Sequence, residues 1–339
     1  MPRILVYEFI CGGALADQPL PDSLAAEGWA MLSAVVKDLS AIDGTEVWTT
    51  VDGRINRLLA AEVKEFRPLE ERDTLLRLAS NCDCVLVIAP ETDGALYERA
   101  VWLADSPARW IGCSPSAIEL TADKFKLGNH LKDNAIPALT VRPLLLDALE
   151  EMELPAVIKP REGAGSENTF LVRSPDELRN ALSLLNPQDG GLVHQPLHPG
   201  EPVSVAFQCG PAGLSALPPC SQRLSDDGRF RYLGGRVPLV EDLAVRATSL
   251  AARALRCLDG LSGHVGVDLL LGSDSHEDRV VEVNPRMTTS YVGLRQAVDV
   301  NLAEQLLTII EGAGPSALRA GKHIAFQAEG SWSELPPLA

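Results

Sequence analysis

The stretch VVEVNPRMTTSYVGLR, residues 280–295, is the most informative part of the sequence about the fold. Its opening valines are β-branched and predict a strand. Glu282 and Asn284 alternate with those valines, so both side chains point to one face of the strand. A carboxylate and an amide at a buried strand end are costly unless a ligand or partner group satisfies them. The stretch therefore predicts a binding site where the strand ends.

A strand just before this stretch carries a second carboxylate. In GHVGVDLLLG, residues 263–272, Asp268 stands among apolar neighbours. If the two strands pair as a hairpin, Asp268 and Glu282 face one site. Together with Asn284 they would supply three hard oxygen ligands of the kind that suits Mg²⁺. A solvated strand face with charges near a turn would show the same residues, so this motif alone leaves both interpretations open.

A lysine followed by a glycine-rich loop appears in PAVIKPREGAGSENTFLV, residues 155–172. Lys159 ends an apolar strand, and its ammonium supplies a point charge. The small residues of the loop include Gly163, Gly165 and Ser166, and glycines let backbone N–H groups approach an anion. No Gly-Lys-Ser/Thr sequence follows to open a helix, so this is not a Walker A loop. A flexible turn after a surface lysine is the alternative interpretation.

Composition and charge exclude several classes of protein. The formal net charge is −16 with no basic block, which argues against binding to nucleic acid through its phosphates. The N-terminal apolar run is too short for a signal peptide or a membrane span, so we expect a cytoplasmic protein. The seven cysteines are scattered without zinc-type pairs and predict reduced thiols. His194 and His198 have no third metal ligand at suitable spacing, so we do not expect them to form a metal site. The sequence does not decide whether the protein forms a homodimer.

The first third of the chain alternates predicted strands and helices, which indicates a parallel sheet with crossover helices. Ligands of such sheets bind past the carboxyl ends of the strands, where CGGAL (11–15) and PETDG (90–94) lie. Neither loop has the GxGxxG pattern of dinucleotide sites. Residues 114–136 are predicted to form one helix, in which Lys124 follows Asp123.

The order of these motifs resembles that of the ATP-grasp superfamily of carboxylate–amine ligases. EVNPR, residues 282–286, is the most specific piece, and the resemblance covers nearly the whole chain. NPRMTTSYVGLR and ILVYEFICGG look like the branch that contains tyramine–glutamate ligases and relatives linked to methanofuran-type one-carbon cofactor synthesis. The implied fold is α/β, with two α+β subdomains that sandwich ATP behind a Rossmann-like domain. Expected boundaries are 1–114 for that N-terminal domain, 115–195 for the lid subdomain, 196–328 for the large subdomain with the metal site, and 329–339 for a tail.

The resemblance also implies roles for individual residues in binding the nucleotide. Two lysines would hold the ATP phosphates, a mobile loop would close over them, a hinge would meet adenine largely through backbone groups, and a glutamate would take the ribose hydroxyls. In this sequence these are Lys124 and Lys159, then Gly163, Gly165 and Ser166 of the loop, His194, Gln195 and Leu197 of the hinge, and Glu201.

The same resemblance assigns the metal and catalytic residues. Asp268, Glu282 and Asn284 would bind two Mg²⁺ ions, with Glu282 bridging them and Mn²⁺ as a possible substitute. Arg286 would face the γ-phosphate or an acyl phosphate, and with Lys159 it forms the expected catalytic pair. Many relatives place a further basic residue on a middle strand near the phosphates. Three residues are open for that role here, namely Arg223, Arg231 and Arg236.

The implied reaction joins a carboxylate to an amine through an acyl phosphate with release of ADP. We expect a small amino acid, with glutamate first, as donor and a primary amine such as tyramine as acceptor. The carboxylate donor would meet the hydroxyls of Thr288, Thr289 and Ser290. Arg286 or Arg295 would pair with a second carboxylate of that donor. The acceptor amine would meet Glu91 and Asp93. Alternatives stay open: helix capping by TTSY, a dipeptide ligase, a carboxyphosphate-forming carboxylase, or a non-catalytic nucleotide-binding module.

Overall fold

The N-terminal domain contains a parallel sheet, as predicted from the alternation of strands and helices. The structure of the whole chain is a computed structural model, and it describes residues 2–57, 59, 64–66 (backbone only), 70–185 and 191–336. The order β3-β2-β1-β4-β5 reverses between β1 and β4, so their carboxyl ends open a crevice. The elements are β1 (Arg3–Glu8), α1 (Asp22–Ser40), β2 (Glu46–Thr50), β3 (Lys64–Phe66), α2 (Glu71–Ala79), β4 (Cys84–Ile88), α3 (Ala95–Leu103) and β5 (Arg109–Trp110).

Residues 114–136 form two helices, and the prediction of a single helix is wrong. Asp123 leaves the helical conformation, and its carboxylate accepts two backbone N–H groups of the next turn at 3.0 Å each. It therefore caps the second helix, because it satisfies donors that have no partner within that helix. Lys124 begins the second helix, and its Nζ donates to the carbonyl of Gly163 at 2.8 Å. The helices are α4 (Pro115–Ala122) and α5 (Lys124–Asp133).

A four-stranded antiparallel sheet forms the next unit, with strand order β6-β9-β7-β8. Helix α6 packs on it and closes a small core of its own, which includes Ile158, Val172 and Leu178. Because this core is separate from the two larger ones, the small sheet with α6 can act as one unit. Its elements are β6 (Arg142–Pro143), β7 (Ala156–Pro160), β8 (Phe170–Val172), α6 (Pro175–Leu185) and β9 (Leu192–Pro196).

The largest sheet is antiparallel and has the order β15-β14-β10-β12-β13-β16-β17, with β11 paired to β10. Helix α7 packs on β14 and β10, and α8 packs on β16 and β13. Its elements are β10 (Glu201–Gly210), β11 (Gly213–Ala216), β12 (Cys220–Leu224), β13 (Tyr232–Val237), α7 (Glu241–Arg256), β14 (Gly263–Leu271), β15 (Arg279–Asn284), α8 (Tyr291–Ala297), α9 (Leu302–Ile310), β16 (His323–Gln327) and β17 (Trp332–Leu335).

The last strand corrects the expectation of a loose tail over 329–339. Strand β17 pairs with β16 in a regular antiparallel register that places Trp332 opposite Phe326. Phe326 is buried, whereas Trp332 is half exposed, so backbone pairing holds this strand more than side-chain burial does. Residues 337–339 lie outside the described residues. The other expected domain boundaries stay predictions.

The N-terminal domain and the large sheet share a hydrophobic core. Helix α1 packs against α8 and α9, and one cluster of buried side chains joins Leu32 and Val35 of α1 to Leu294 and Leu306. The carboxyl ends of β1 and β4 are thereby held next to the chain that follows β15. Among the described helices, none is both long enough and apolar enough to cross a membrane.

Candidate active site

A cavity of about 640 Å³ lies between the small sheet and the large sheet. The small sheet contributes β7, the glycine loop and the end of β9, and the large sheet contributes β10 and β12 to β15. Residues 288–290, one side chain of α1 and Lys124 of α5 also line it. Most residues predicted to bind ligands line this one space: Lys124, Lys159, Gly163, Gly165, Ser166, Gln195, Leu197, Asp268, Glu282, Asn284, Arg286, Thr288, Thr289 and Ser290.

Two carboxylates face each other across the β14–β15 hairpin, as the sequence predicts. Asp268 and Glu282 occupy directly opposed positions and are half-buried, open towards the cavity. Burial and the charge of Glu282 raise the pKa of Asp268 to about 8. Burial alone would raise the pKa of Glu282, but Lys124 and Lys159 outweigh it and lower that pKa. The two carboxylates therefore do not ionise together readily, and a divalent cation between them would offset their repulsion.

Two amides support the carboxylate of Asp268. Nδ2 of Asn284 donates to Oδ2 at 3.1 Å, and Nε2 of Gln222 donates to Oδ1 at 2.9 Å. Within the described part of the chain, no group of three or more His, Cys, Asp or Glu side chains could hold a metal ion. A cation here would need Asn284 as its third protein ligand, and the amide would have to turn its oxygen inward. The donor set of two carboxylates and an amide fits Mg²⁺, which also keeps water or phosphate oxygens in its shell.

Buried lysines lie across the cavity from these carboxylates. Lys159 is 7% exposed, and burial lowers the pKa of its ammonium to about 8, although Glu282 raises it in part. No carboxylate of the described residues lies within 4 Å of its Nζ. Lys124 is also buried and adds a second positive charge. Uncompensated cations beside a cavity fit an anionic ligand such as a polyphosphate.

The glycine loop extends from the small sheet to the N-terminal domain. The backbone N–H of Ala164 donates to Oγ1 of Thr92, which follows β4, at 3.2 Å. Gly165 has φ +66°, and a Cβ there would meet no atom within 4 Å. Glycine is therefore favoured by the backbone conformation and not by lack of space. Ser166 also has a positive φ, so the loop contains a tight turn over the cavity.

The predicted adenine hinge divides between two faces of β9. Gln195 is buried, lines the cavity, and its Nε2 has no hydrogen-bond partner among the described residues. His194 lies opposite Ile158 and points to the core side of the small sheet. Glu201 is exposed at the start of β10, on the same strand face as buried Val203, and does not line the cavity. Its ribose role, and the backbone role of His194, stay predictions.

Arg286 is held by an ion pair with Glu91 that was not predicted from the sequence. Its Nε lies 3.0 Å from Oε1 of Glu91, and its Nη2 lies 3.1 Å from Oε2. Glu91 is 4% exposed and follows β4, so the N-terminal domain positions this arginine. The expectation that Glu91 meets the ammonium of the amine stays a prediction; its carboxylate is paired with Arg286 and does not line the cavity.

Arg295 is also already paired and faces away from the cavity. Its Nε lies 2.9 Å from Oδ2 of Asp38 on α1, and the hydroxyl of Tyr291 donates to the same oxygen at 2.7 Å. The expectation that Arg295 binds a substrate carboxylate is therefore wrong. Ser290, in contrast, makes no side-chain cap to α8, and its hydroxyl lies 2.9 Å from that of Thr288 at the cavity wall.

Glu27 is a cavity residue that was not singled out from the sequence. It lies on α1, and its carboxylate accepts a hydrogen bond from the hydroxyl of Thr289. The available signal was its position on the buried face of the helix, between Ala25 and Gly28 and one turn before Met31. A carboxylate on an apolar helix face is a costly choice unless it binds something.

Comparison with known proteins agrees with this geometry. A family model described as an ATP-grasp domain matches residues 121–290, and one described as a pre ATP-grasp 3 domain matches residues 45–118. The chain belongs to the ATP-grasp family. It is an ATP-dependent ligase.

Relatives of this ATP-grasp protein match over most of its length. Tyramine–L-glutamate ligase of Methanocaldococcus jannaschii is 25% identical over 309 residues, covering 90% of this chain and 88% of that protein. D-alanine–D-alanine ligase of Nitratidesulfovibrio vulgaris is 28% identical over 266 residues, covering 73% and 84%. The crystal structure of an ATP-grasp superfamily protein from Archaeoglobus fulgidus superimposes with a TM-score of 0.73 at 22% identity, covering 96% and 92%.

Strand β12 of this ATP-grasp protein presents an amide to the cavity, whereas the three arginines that stayed open for a phosphate role do not line it. Arg223 donates to the carbonyl of Leu233 at 3.0 Å, and neither Arg231 nor Arg236 lines the cavity. The strand instead presents Gln222, which supports Asp268. Among the described residues, the lysine and arginine side chains at the cavity are those of Lys124, Lys159 and Arg286.

Proposed function

We propose that this ligase forms an amide between an amino-acid carboxylate, with L-glutamate as the leading donor, and a primary amine such as tyramine. One observation carries the proposal: the facing carboxylates of Asp268 and Glu282, two buried lysines and the hydroxyls of residues 288–290 share one cavity. The likeness to tyramine–L-glutamate ligase over 90% of the chain supports the choice of substrates. By the same likeness, we assign the amide to methanofuran-type one-carbon cofactor synthesis.

The residues of the cavity fit ATP with Mg²⁺, and Mn²⁺ would satisfy the same donors. Lys124 and Lys159 would hold the phosphates, and Asp268, Glu282 and Asn284 would hold up to two metal ions. When bound, the metal supplies positive charge beside the transferring phosphoryl group. Gln195 and Leu197 line the cavity at the end of β9, where the hinge would meet the adenine ring largely through backbone groups.

The chain acts mainly by position and charge. The donor carboxylate attacks the γ-phosphorus, the bond to the bridging oxygen breaks, and ADP leaves. The amine nitrogen then attacks the acyl carbon of the acyl phosphate, and inorganic phosphate leaves. Lys159 and Arg286 would stabilise the negative charge that develops on the phosphoryl oxygens. Glu91 orients Arg286, and the glycine loop would exclude water that hydrolyses the acyl phosphate.

The direct test is to incubate the protein with ATP, Mg²⁺, L-glutamate and tyramine and to search by mass spectrometry for γ-glutamyltyramine. We expect the amide and ADP in equal amounts, and neither product above background when the amine is omitted. If glutamate fails with every amine tried while another acid supports ADP formation, the donor assignment is wrong.

Dipeptide synthesis is a second candidate, favoured by the similarity to D-alanine–D-alanine ligase over 73% of the chain. In the same assay, ADP formation with D-alanine as the sole organic substrate would select this reaction. ADP formation that depends on bicarbonate would instead select a carboxylase. ATP binding without ADP release under any of these conditions would indicate a non-catalytic nucleotide-binding module.

A further inference from the structure

Glu27 is a carboxylate of the N-terminal domain that reaches the active-site cavity. Its helix, α1, packs against α8 and α9, which fixes the side chain beside residues 288–290. The hydroxyl of Thr289 donates to Oε1, and the structure shows no hydrogen bond to Oε2 from the residues it describes. Half of this carboxylate is therefore free to accept a hydrogen bond from a ligand.

Glu27 has no ion-pair partner among the side chains that the structure describes. Within the described ranges, no nitrogen of a lysine, arginine or histidine lies within 4 Å of its carboxylate. Arg286 is near enough to lower its pKa, but the guanidinium is engaged by Glu91. Burial has the opposite and larger effect and raises the pKa of Glu27. A carboxylate that is desolvated, uncompensated and open to a cavity is a receptor for a positive charge.

Tyr232 provides a second unsatisfied group in the same wall. Its side chain extends from β13 into the lining of the cavity, and its buried hydroxyl has no hydrogen-bond partner among the described residues. Burial raises its pKa, and the carboxylates of Asp268 and Glu27 add to the shift, so the phenol stays neutral. The hydroxyl is closed off in this conformation, so a ligand at this wall would supply its hydrogen bond after a small shift of the Tyr232 side chain.

We propose that Glu27 and Tyr232 form a subsite for a protonated primary amino group of the substrate. An ammonium has three donors, and this wall offers a free carboxylate oxygen and a phenol oxygen as acceptors. The neighbouring hydroxyls of Thr288 and Ser290 would meet the carboxylate or phosphate end of the same substrate. The inference rests on the proposed function, because it assumes that the substrates of ligation occupy this cavity.

Both substrates of the proposed reaction contain such a group. The donor amino acid has an α-ammonium, and the acceptor amine is protonated in solution. An ammonium at Glu27 selects for amino acids over simple acids if it belongs to the donor, and for amines over alcohols if it belongs to the acceptor. The chemistry recognised is the same in the two cases, so the test compares the two sources separately.

The variant Glu27→Gln separates charge recognition from support of Thr289. Its amide oxygen still accepts the Thr289 hydroxyl, so the wall keeps its hydrogen bond while the negative charge is removed. Asp22→Asn is the matched control, because Asp22 lies on the same helix, is exposed, and does not line the cavity. Tyr232→Phe removes only the phenol oxygen.

Isothermal titration with a non-hydrolysable ATP analogue and Mg²⁺ tests the subsite with two ligand pairs. L-glutamate is compared with glutarate, and tyramine with 4-ethylphenol, which lack the amino group. We expect Glu27→Gln to weaken the binding of one of the two ammonium ligands, L-glutamate or tyramine, by about tenfold or more. The affinity for the matching compound that lacks the amino group should not change. Tyr232→Phe should have a smaller effect in the same direction, and Asp22→Asn should have none.

The pair that responds identifies the source of the ammonium. The inference is overturned if Glu27→Gln preserves the wild-type preference for both ammonium ligands. It is equally overturned if the wild-type protein binds neither ammonium ligand. Failure to detect the amide product would refute the proposed function alone, because these titrations require no turnover.

Discussion

At Asp268 and Glu282, burial and mutual repulsion act on two carboxylates that the hairpin holds at directly opposed positions. Their pKa values move apart, and the positive charges of Lys124 and Lys159 keep Glu282 ionised. The two carboxylates destabilise the folded protein when the cavity is empty, and binding of metal and phosphate would offset that destabilisation. The face of each carboxylate was predictable from strand alternation, whereas their direct opposition depends on a register that shifts beside Asp268 and is seen only in the structure.

Glu8 is a buried carboxylate that makes stability depend on pH. Its Oε2 accepts the N–H of Cys11 at 2.6 Å, and a Cβ at Gly28 would lie 2.6 Å from its Oε1. Burial raises its pKa from 4.5 to about 7, although backbone N–H groups oppose the shift. Between these pH values the unfolded chain has lost the proton that the folded protein retains, so the free energy of unfolding falls as pH rises.

Urea unfolding at pH 4.5 to 8 should show this effect as a difference between wild type and Glu8→Gln. Between pH 4.5 and 8, we expect the free energy of unfolding of the wild type to fall by about 3 kcal/mol relative to that of the variant. Each unit of pKa shift corresponds to about 1.4 kcal/mol. Comparison with the variant removes the contribution of other carboxylates. Parallel pH profiles for the two proteins would show that Glu8 does not titrate in this way.

Among the elements, local signals decided which predictions were correct. The β14–β15 hairpin and the parallel strands were predictable from residue patterns. The break at Asp123 was not, because helical periodicity continues across it and only the capping geometry reveals two helices. Strand β17 was missed for a similar reason: its exposed side chains and the prolines that follow it resemble a tail, and its pairing with β16 has no local sequence signal.

The glycine loop should become ordered when nucleotide binds. Among the described residues, one hydrogen bond joins it to the N-terminal domain, from the N–H of Ala164 to Oγ1 of Thr92, and a Cβ at Gly165 would meet no atom within 4 Å. Hydrogen exchange across residues 163–168 should therefore slow at least about tenfold when an ATP analogue and Mg²⁺ are added. Residues 203–207 of the central strand β10 serve as the internal control. Equal exchange of the loop with and without nucleotide would argue against its role as a lid.

Over the whole molecule, long-range ion pairs join the N-terminal domain to the large sheet. Arg286 pairs with Glu91 and Arg295 with Asp38, across 195 and 257 residues of sequence. Such partners have no local signature, so both arginines were assigned to substrate from sequence alone. The same limit explains why Glu27 was missed, since its cavity exists only after α1 packs beside residues 288–290.

Asp38→Ala should destabilise the folded protein by about 3 kcal/mol. It leaves the guanidinium of Arg295 and the hydroxyl of Tyr291 without a partner in a mostly buried setting, and loss of one partner of a buried pair has a cost of this size. Denaturant unfolding measures it, with exposed Asp22→Ala on the same helix as the control. If the free energy of unfolding fell by less than about 1 kcal/mol, water would already be solvating the guanidinium of Arg295, and the ion pair would contribute little to stability.

The most direct test of the central claim is amine-dependent ADP release by the wild type and by Glu282→Gln. The wild type should release ADP and form amide in a one-to-one ratio. The variant should lose at least about a thousandfold in kcat and stay folded, which a cooperative thermal transition checks. A folded Glu282→Gln protein with near-normal, amine-dependent turnover would contradict the assignment of this cavity as the site of ligation.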